Sequence, residues 1–352
     1  MNAEPPYRAV LTHGFTVDEQ GRKMSKSRGN VIAPQSVMNE LGADILRLWV
    51  ASSDYAGEIA VSDDILKRTA DAYRRLRNTA RFLLANLDGF DPAVNALAPE
   101  QMLALDRWAV DRARRLQAQI IADSQGYDFH QLFQRVHHFC VLDMGGFYLD
   151  VIKDRQYTTP ADSIARRSAQ TALYHIAEAL VRWLMPVLSF TADEIWEHMP
   201  GERQGTALET EWYTQLPALD DGLMDAAFWE QILQLREIVA KQIEALRNDQ
   251  VIGATLEAEV DIFCDEPLAS RWGALGDELR FLLITSAARV QPLADAANDA
   301  LEGRLEDGTV FRFAITPSTH EKCPRCWHRR ADVGRDADHP ELCGRCVSNI
   351  AG

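Results

Sequence analysis

Residues 62–86 read SDDILKRTADAYRRLRNTARFLLAN. Ser62 suits a helix N-cap, because its hydroxyl can accept from a backbone N–H that has no partner inside the helix. Beyond it, Ile65, Leu66, Tyr73, Leu76, Phe82 and Leu83 fall mostly on one face at helical spacing. An amphipathic helix of this length buries its stripe only against elements of the same kind. The sequence supplies them. A second helix is expected over 99–122, and a third follows Asp128, with Phe129, Leu132, Phe133, Val136, Phe139 and Cys140 recurring at three and four. A fourth covers 162–188, with Pro186 near its end. Four long helical segments over 62–200 predict a helix bundle and a mainly α chain.

Upstream, residues 9–17 read as a β run, and Pro34 suits the first position of a short helix over 34–41. A further helix covers 43–52. One strand and two short helices cannot bury a core, so residues 1–61 read as the end of a larger domain in need of a partner. Downstream, Gly201, Gly205 and Pro217 mark a linker over 201–221, followed by a helix over 223–247. A strand over 257–264, a helix near 268–275, the apolar run Phe281 to Ile284, and strands at 303–306 and 310–315 around Asp307-Gly308 complete an α+β module to residue 320. A cysteine-rich module occupies 321–352.

The 352 residues allow two to three domains at roughly 150 residues each, and 47% hydrophobic with 25% charged residues is ordinary for a globular chain. Lys and Arg total 37 against 52 Asp and Glu, a net charge of −15. A field of that sign repels phosphate, so the chain is no general polyanion binder and any nucleic-acid contact must be local. Residues 65–86 offer such a patch: Lys67, Arg68, Arg74, Arg75, Arg77 and Arg81 stand against Asp71 alone. Phosphate contact or domain docking is the preferred reading of that face over simply solvated arginines. No apolar run reaches membrane-spanning length, since Arg182 and Pro186 interrupt 180–190, and Met1 to Pro6 hold no leader core. A soluble chain in a reducing, cytosolic compartment is expected.

Four of the six cysteines form two CxxC knuckles, Cys323-Pro-Arg-Cys326 and Cys343-Gly-Arg-Cys346. Each tight turn sets two thiolates on one side, and two turns close a tetrahedron around one Zn²⁺. Four thiolates leave no open coordination position, so the metal is structural. A redox dithiol would need a surrounding βαβ pattern, which is missing. Cys140 and Cys264 lie in apolar stretches and read as core thiols. Around the knuckles, Arg325, Trp327, Arg329, Arg330 and Arg345 leave two readings open: stacking and phosphate pairing with RNA, or Trp327 packed on the metal site amid solvated arginines.

A loop at Lys23-Met24-Ser25-Lys26-Ser27 places two ammonium groups three residues apart, with Ser25, Ser27 and free backbone amides as added donors. Such a loop suits a polyphosphate whose charge grows as pyrophosphate departs. Taken alone, a Lys/Ser loop is more often solvated surface.

KMSKS at 23–27, with Gly29-Asn30 after it, resembles the second signature of class I aminoacyl-tRNA synthetases. LGADILRLWV at 41–50, YRRLRNTARFLLANL at 73–87, YDFH at 127–130, FYLDVIKDR at 147–155 and SFTADEIW at 189–196 extend the resemblance. With CPRCW at 323–327 and CGRCV at 343–347, the chain is similar to the C-terminal part of the bacterial isoleucyl-tRNA synthetase family. The likeness is weakest over 200–250 and 290–318. Valyl and leucyl relatives share the loop and the bundle, whereas the four-cysteine end favours the isoleucyl family.

The resemblance implies a remnant of a Rossmann-like catalytic domain over 1–61 and an anticodon-binding bundle over 62–200. It implies that Lys26 contacts ATP phosphates with Lys23 in support, Ser25 and Ser27 beside them, and ATP entering with Mg²⁺. It also implies the isoleucine-acceptor tRNA as partner, isoleucine as co-substrate, zinc on Cys323, Cys326, Cys343 and Cys346, and a monomer. The family's His-x-Gly-His signature and editing domain are absent from this sequence. The isolated chain is therefore expected not to activate isoleucine, acting either with an N-terminal half in trans or as a stand-alone tRNA-binding zinc module. A valyl-type fragment is the remaining alternative.

Overall fold

The computed structural model describes residues 7–219 and 222–351, so the Met1–Pro6 stretch read above for a leader lies outside the described residues. In chain order the elements begin with β1 (Thr16–Val17), α1 (Pro34–Leu41), α2 (Ala43–Ala51), β2 (Ile59–Ala60), α3 (Asp63–Asn86) and α4 (Pro92–Asn95). Then come α5 (Ala104–Gln125), α6 (Phe129–His138), α7 (Leu149–Thr158), α8 (Ile164–Leu184), α9 (Ser189–His198) and α10 (Ala226–Asn248). A π-helical stretch, Phe139–Tyr148, joins α6 to α7 without a break. The remainder is β3 (Ala258–Cys264), α11 (Leu268–Gly273), α12 (Glu278–Leu283), β4 (Ala287–Pro292), β5 (Leu301–Arg304), β6 (Val310–Pro317) and α13 (Gly344–Ala351). The chain is mainly helical, as the periodicity predicts, and divides into two compact units.

The first unit holds the chain up to Val94, Arg112–Gly146 and Leu173–Leu216. Ser62 sits in extended backbone and its hydroxyl accepts from Ile65 N at 3.3 Å, the cap read from the sequence. Leu66, Leu76, Ala80 and Leu83 form the buried stripe of α3. Deeper in the unit, Phe139 meets Trp183 edge to face at 5.6 Å.

The N-terminal segment has more of a core than a lone strand and two helices would give. β1 and β2 pair in parallel, Thr16 opposite Ile59, and Val37, Trp49, Ile59 and Val61 bury together with Leu66 of α3. Arg47 of α2 donates to the carbonyls of Pro186 and Val187, both at 2.8 Å, and Asp44 accepts from Thr191 N at 2.8 Å. The start of α3 thus supplies the partner that residues 1–61 lack on their own. The β run expected over 9–17 shrinks to two residues, because only Thr16 and Val17 find a neighbouring strand, and Val10, Leu11 and Phe15 stay exposed.

The second unit holds Asn95–Asp111, Phe147–Ala172 and the chain from Pro217 onward. Its sheet runs β4-β3-β6-β5. β3 pairs in parallel with β4 (Val260 opposite Ala288) and antiparallel with β6 (Val260 opposite Ile315), and β5 closes a hairpin with β6. Gly308 has φ +87°, the left-handed turn that the Asp-Gly pair announces. The apolar run at 281–284 lies within and just beyond helix α12, and the parallel strand β4 has no counterpart in the sequence reading.

Asp106, fully buried on α5, holds this unit together. It accepts from Tyr148 Oη at 2.8 Å, from Arg155 at 3.1 and 3.2 Å, and from Ser168 Oγ. Burial and the adjacent carboxylate push the Tyr148 hydroxyl far above its usual range, so it stays a donor. Among the described residues no helix is long and apolar enough to cross a membrane.

Candidate functional site

The lysine loop follows β1 directly, and one carboxylate shapes it. Asp18 accepts from the Gln20 and Arg22 amides at 3.1 and 2.8 Å, from Arg22 Nε at 2.8 Å and from Asn30 Nδ2 at 2.9 Å. Asn30 reaches back with its carbonyl oxygen to accept from Ser25 N at 2.9 Å. Those bonds, that of Asn30 first and of Arg22 next, hold the Asp18 carboxyl well below the usual carboxylate range. Residues Lys26–Arg28 make one 3₁₀ turn, ended by Gly29 at φ +70°.

Ser25 Oγ and Ser27 Oγ lie 3.2 Å apart. Lys23 and Lys26 are exposed, and among the described residues neither has an ion-pair partner; Lys23 Nζ lies 6.0 Å from the Phe15 ring centroid. The loop therefore presents two free cations on a backbone fixed from behind. The sequence shows Asp18 opening a Gly-containing turn and Asn30 following Gly29, but gives neither a role in shaping the loop.

The four knuckle cysteines come together in the second unit. Cys323, Cys326, Cys343 and Cys346 are buried free thiols whose sulfurs all lie within 4.8 Å of one another. Cys326 Sγ and Cys343 Sγ are 3.7 Å apart, far beyond a disulfide and close to the ~3.8 Å edge of a tetrahedron built on Zn–S bonds of ~2.3 Å. The donor set fits Zn²⁺, and its completeness makes the metal structural. Cys323 N donates to His328 O at 2.9 Å, closing the first knuckle, while the second opens α13. A Cβ on Gly344 would stand 2.9 Å from Asp332 Oδ2, which accepts from Gly344 N at 3.1 Å.

The reading of Trp327 packed on the metal site amid solvated arginines is not what the structure holds. Trp327 does not cover the metal site: it is 62% exposed, with Lys322 Nζ at 5.7 Å from its ring. Nor are the arginines merely solvated. Arg345 forks onto Asp154 of α7 at 2.5 and 2.8 Å. Arg329 N donates to Ser286 Oγ at 2.6 Å, and the Arg329 side chain meets Glu257 at 3.3 Å. Arg330 donates to Ser286 O at 3.3 Å. A cavity of about 470 Å³ opens between α7 and the first knuckle, lined by Lys153, Tyr157, Phe281, Arg325 and Trp327 among others.

The basic face of α3 is less one-sided than its sequence suggests. All six cations are exposed, but Lys67 pairs with Asp64, Arg74 with Asp71 and Arg77 with Glu194 at 2.9 Å. Arg68, Arg75 and Arg81 have no ion pair among the described residues, Arg68 donating to the Asp64 carbonyl at 3.4 Å.

Three sequence families meet along this chain. Residues 1–62 match the model described as tRNA synthetases class I (I, L, M and V), and 106–262 match the anticodon-binding domain of tRNA ligase. Residues 321–349 match the zinc finger found in FPG and IleRS, so the lysine loop and the thiol cluster fall inside matched segments, whereas α3 lies between the first two. The class I tRNA synthetase likeness is thus carried by residues 1–62. Within that class, its relatives at 58–64% identity along the whole chain are isoleucine–tRNA ligases. The protein of that name from Halorhodospira halophila is 64% identical over 347 residues, covering 99% of this chain and 37% of the relative. That of Alkalilimnicola ehrlichii is 64% identical over 348 residues, covering 99% and 37%, and that of Thioalkalivibrio sulfidiphilus 62% over 353, covering 100% and 38%. The chain thus spans little more than a third of the length of these relatives.

Proposed function

We propose that this chain serves the ATP-dependent attachment of isoleucine to its tRNA, supplying the phosphate loop, a tRNA-binding helical region and a structural zinc module. The observation that supports it most is the lysine loop: two exposed ammonium groups, without an ion pair among the described residues, on a backbone stapled by Asp18 and Asn30. In this reading Lys26 binds the departing phosphates of ATP, which enters with Mg²⁺, and Lys23 adds charge from the side. Ser25 and Ser27 offer hydroxyls toward the same oxygens. Fixed cations aimed at charge that grows in the transition state lower the barrier without reorganisation at the moment of reaction. The helical region holds the tRNA near its anticodon, and the zinc module shapes the C-terminal end. Buried free thiols fit a reducing cytoplasm.

The remaining length of the relatives is the natural source of the amino-acid pocket. The test is isoleucine-dependent ATP–pyrophosphate exchange by this chain mixed with the N-terminal part of a close relative. Exchange should arise only in the mixture and fall by about two orders of magnitude on Lys26→Ala. Exchange that is indifferent to Lys26 would remove the phosphate role. Binding of labelled isoleucine-acceptor tRNA to the chain alone tests the second part.

A further inference from the structure

Two arginines stand at the metal centre: Arg325, which donates to the Cys346 carbonyl at 3.5 Å, and Arg345, whose place the ligand count does not explain. Arg345 lies between the ligands Cys343 and Cys346, on the first turn of α13, and its side chain is only 26% exposed. Its guanidinium forks onto both oxygens of Asp154, lies 5.1 Å from the Phe281 ring and is an electrostatic neighbour of the Cys326 sulfur. Asp154 is 14% exposed and faces His328 Nε2 at 3.5 Å. The next residue of α7, Arg155, points the other way into the buried Asp106 pair. Helix α7 is thus pinned from inside by Arg155, and it presents Asp154 at a fixed place to the knuckles.

Four thiolates around Zn²⁺ carry a net charge of 2−. A carboxylate beside such a cluster is repelled by it unless a cation stands between them. We infer that Arg345 is the charge-compensating outer-sphere residue of the zinc centre and that Asp154 holds it in place, so that metal retention and seating of the knuckles on α7 are coupled. The inference rests on the thiol cluster and its surroundings, and stands or falls independently of the ligase reading. Outer-sphere partners of this kind typically change metal affinity by about 10- to 100-fold.

The geometry makes a sign prediction that simple loss of packing does not. In the parent chain, Asp154→Asn lets Arg345 swing free and zinc leaves faster. In an Arg345→Met background Asp154 is an unpaired anion beside an anionic cluster, so the same Asp154→Asn change slows zinc loss. The experiment follows zinc transfer from the full chain to a chromogenic chelator, after elemental analysis has fixed one zinc per chain. Arg345→Met should release zinc about tenfold faster. Arg345→Lys, which keeps the charge but loses the fork, should fall between parent and Arg345→Met. Where Arg345→Met does not retain zinc, the cycle is run on Arg345→Gln, which also removes the cation. Hydrogen exchange of the 150–158 amides should rise once zinc is stripped from the parent. An unchanged release rate in the Arg345 variants, or an Asp154→Asn effect of one sign in both backgrounds, would overturn the assignment.

Discussion

His175, half-buried on α8, shows how one side chain sets a pH response. Its Nδ1 is 2.7 Å from Tyr213 Oη, and burial lowers its pKa from the usual 6.5 against a smaller opposing pull from Glu178. The unfolded chain then binds a proton that the folded chain refuses, so stability rises with pH across this range. Its contribution is complete above about pH 6.5 and is lost as pH falls toward the lower folded value. His137 and His328 are lowered as well, the latter to about 4, and act in the same sense. Urea unfolding should therefore show stability falling from pH 7.5 to 5.5, with a shallower slope in His175→Gln. An unaltered slope would exclude His175 as a contributor. Asp18 gives a local counterpart. With its carboxyl held well below the usual range, the loop staple should persist at pH 4 to 5. Asp18→Ala should speed tryptic cleavage after Lys23, Lys26 or Arg28 several-fold while leaving the melting temperature nearly unchanged, because the loop buries little.

Between elements, the buried Asp106–Arg155 pair dominates. Removing one member leaves the other as an uncompensated buried charge, which typically costs about 3–5 kcal/mol. Asp106→Ala should therefore lower the melting temperature sharply, whereas the exposed Arg74–Asp71 pair should be nearly silent on removal. A pairing of an apolar residue at 106 with Arg155→Met should recover most of the loss. Comparable melting temperatures for Asp106→Ala and the parent would show that the pair bears no weight. Elements of this kind divide into those a sequence announces and those it does not. α3 was legible because cap, stripe and length agree locally, and α1 because Pro34 opens it. α9 was not separable from α8: its first amides are satisfied by Asp44, 147 residues away, so no local capping residue marks the restart after Pro186. α12 is a short apolar run whose period is shared by strand and helix. The four ligands were legible from spacing. Arg345–Asp154, 191 residues apart, was not, because nothing near Asp154 distinguishes it from any other acid on a helix.

For the molecule as a whole, the net charge of −15 and the proposed tRNA partner are reconciled only if the binding face is carried by few residues. On α3 the local acids already neutralise Lys67, Arg74 and Arg77, leaving Arg68, Arg75 and Arg81 as the cations with no ion pair among the described residues, and of these Arg68 donates to the Asp64 carbonyl. Each phosphate neutralised releases counterions, so the logarithm of the binding constant falls with the logarithm of salt in proportion to the contacts made. Arg75→Ala and Arg81→Ala should each weaken tRNA binding to a similar degree across sequences and reduce the salt slope by about one. Lys67→Ala and Arg74→Ala should change the slope less, since each removes a cation but frees Asp64 or Asp71 to repel the same phosphates. Fluorescence anisotropy of labelled tRNA over a potassium chloride series measures both quantities. Equal slopes for the parent and the Arg75 and Arg81 variants would move the binding face off α3. A steeper loss for Lys67 or Arg74 than for Arg75 or Arg81 would show that ion pairing within the helix does not select which cations reach the RNA.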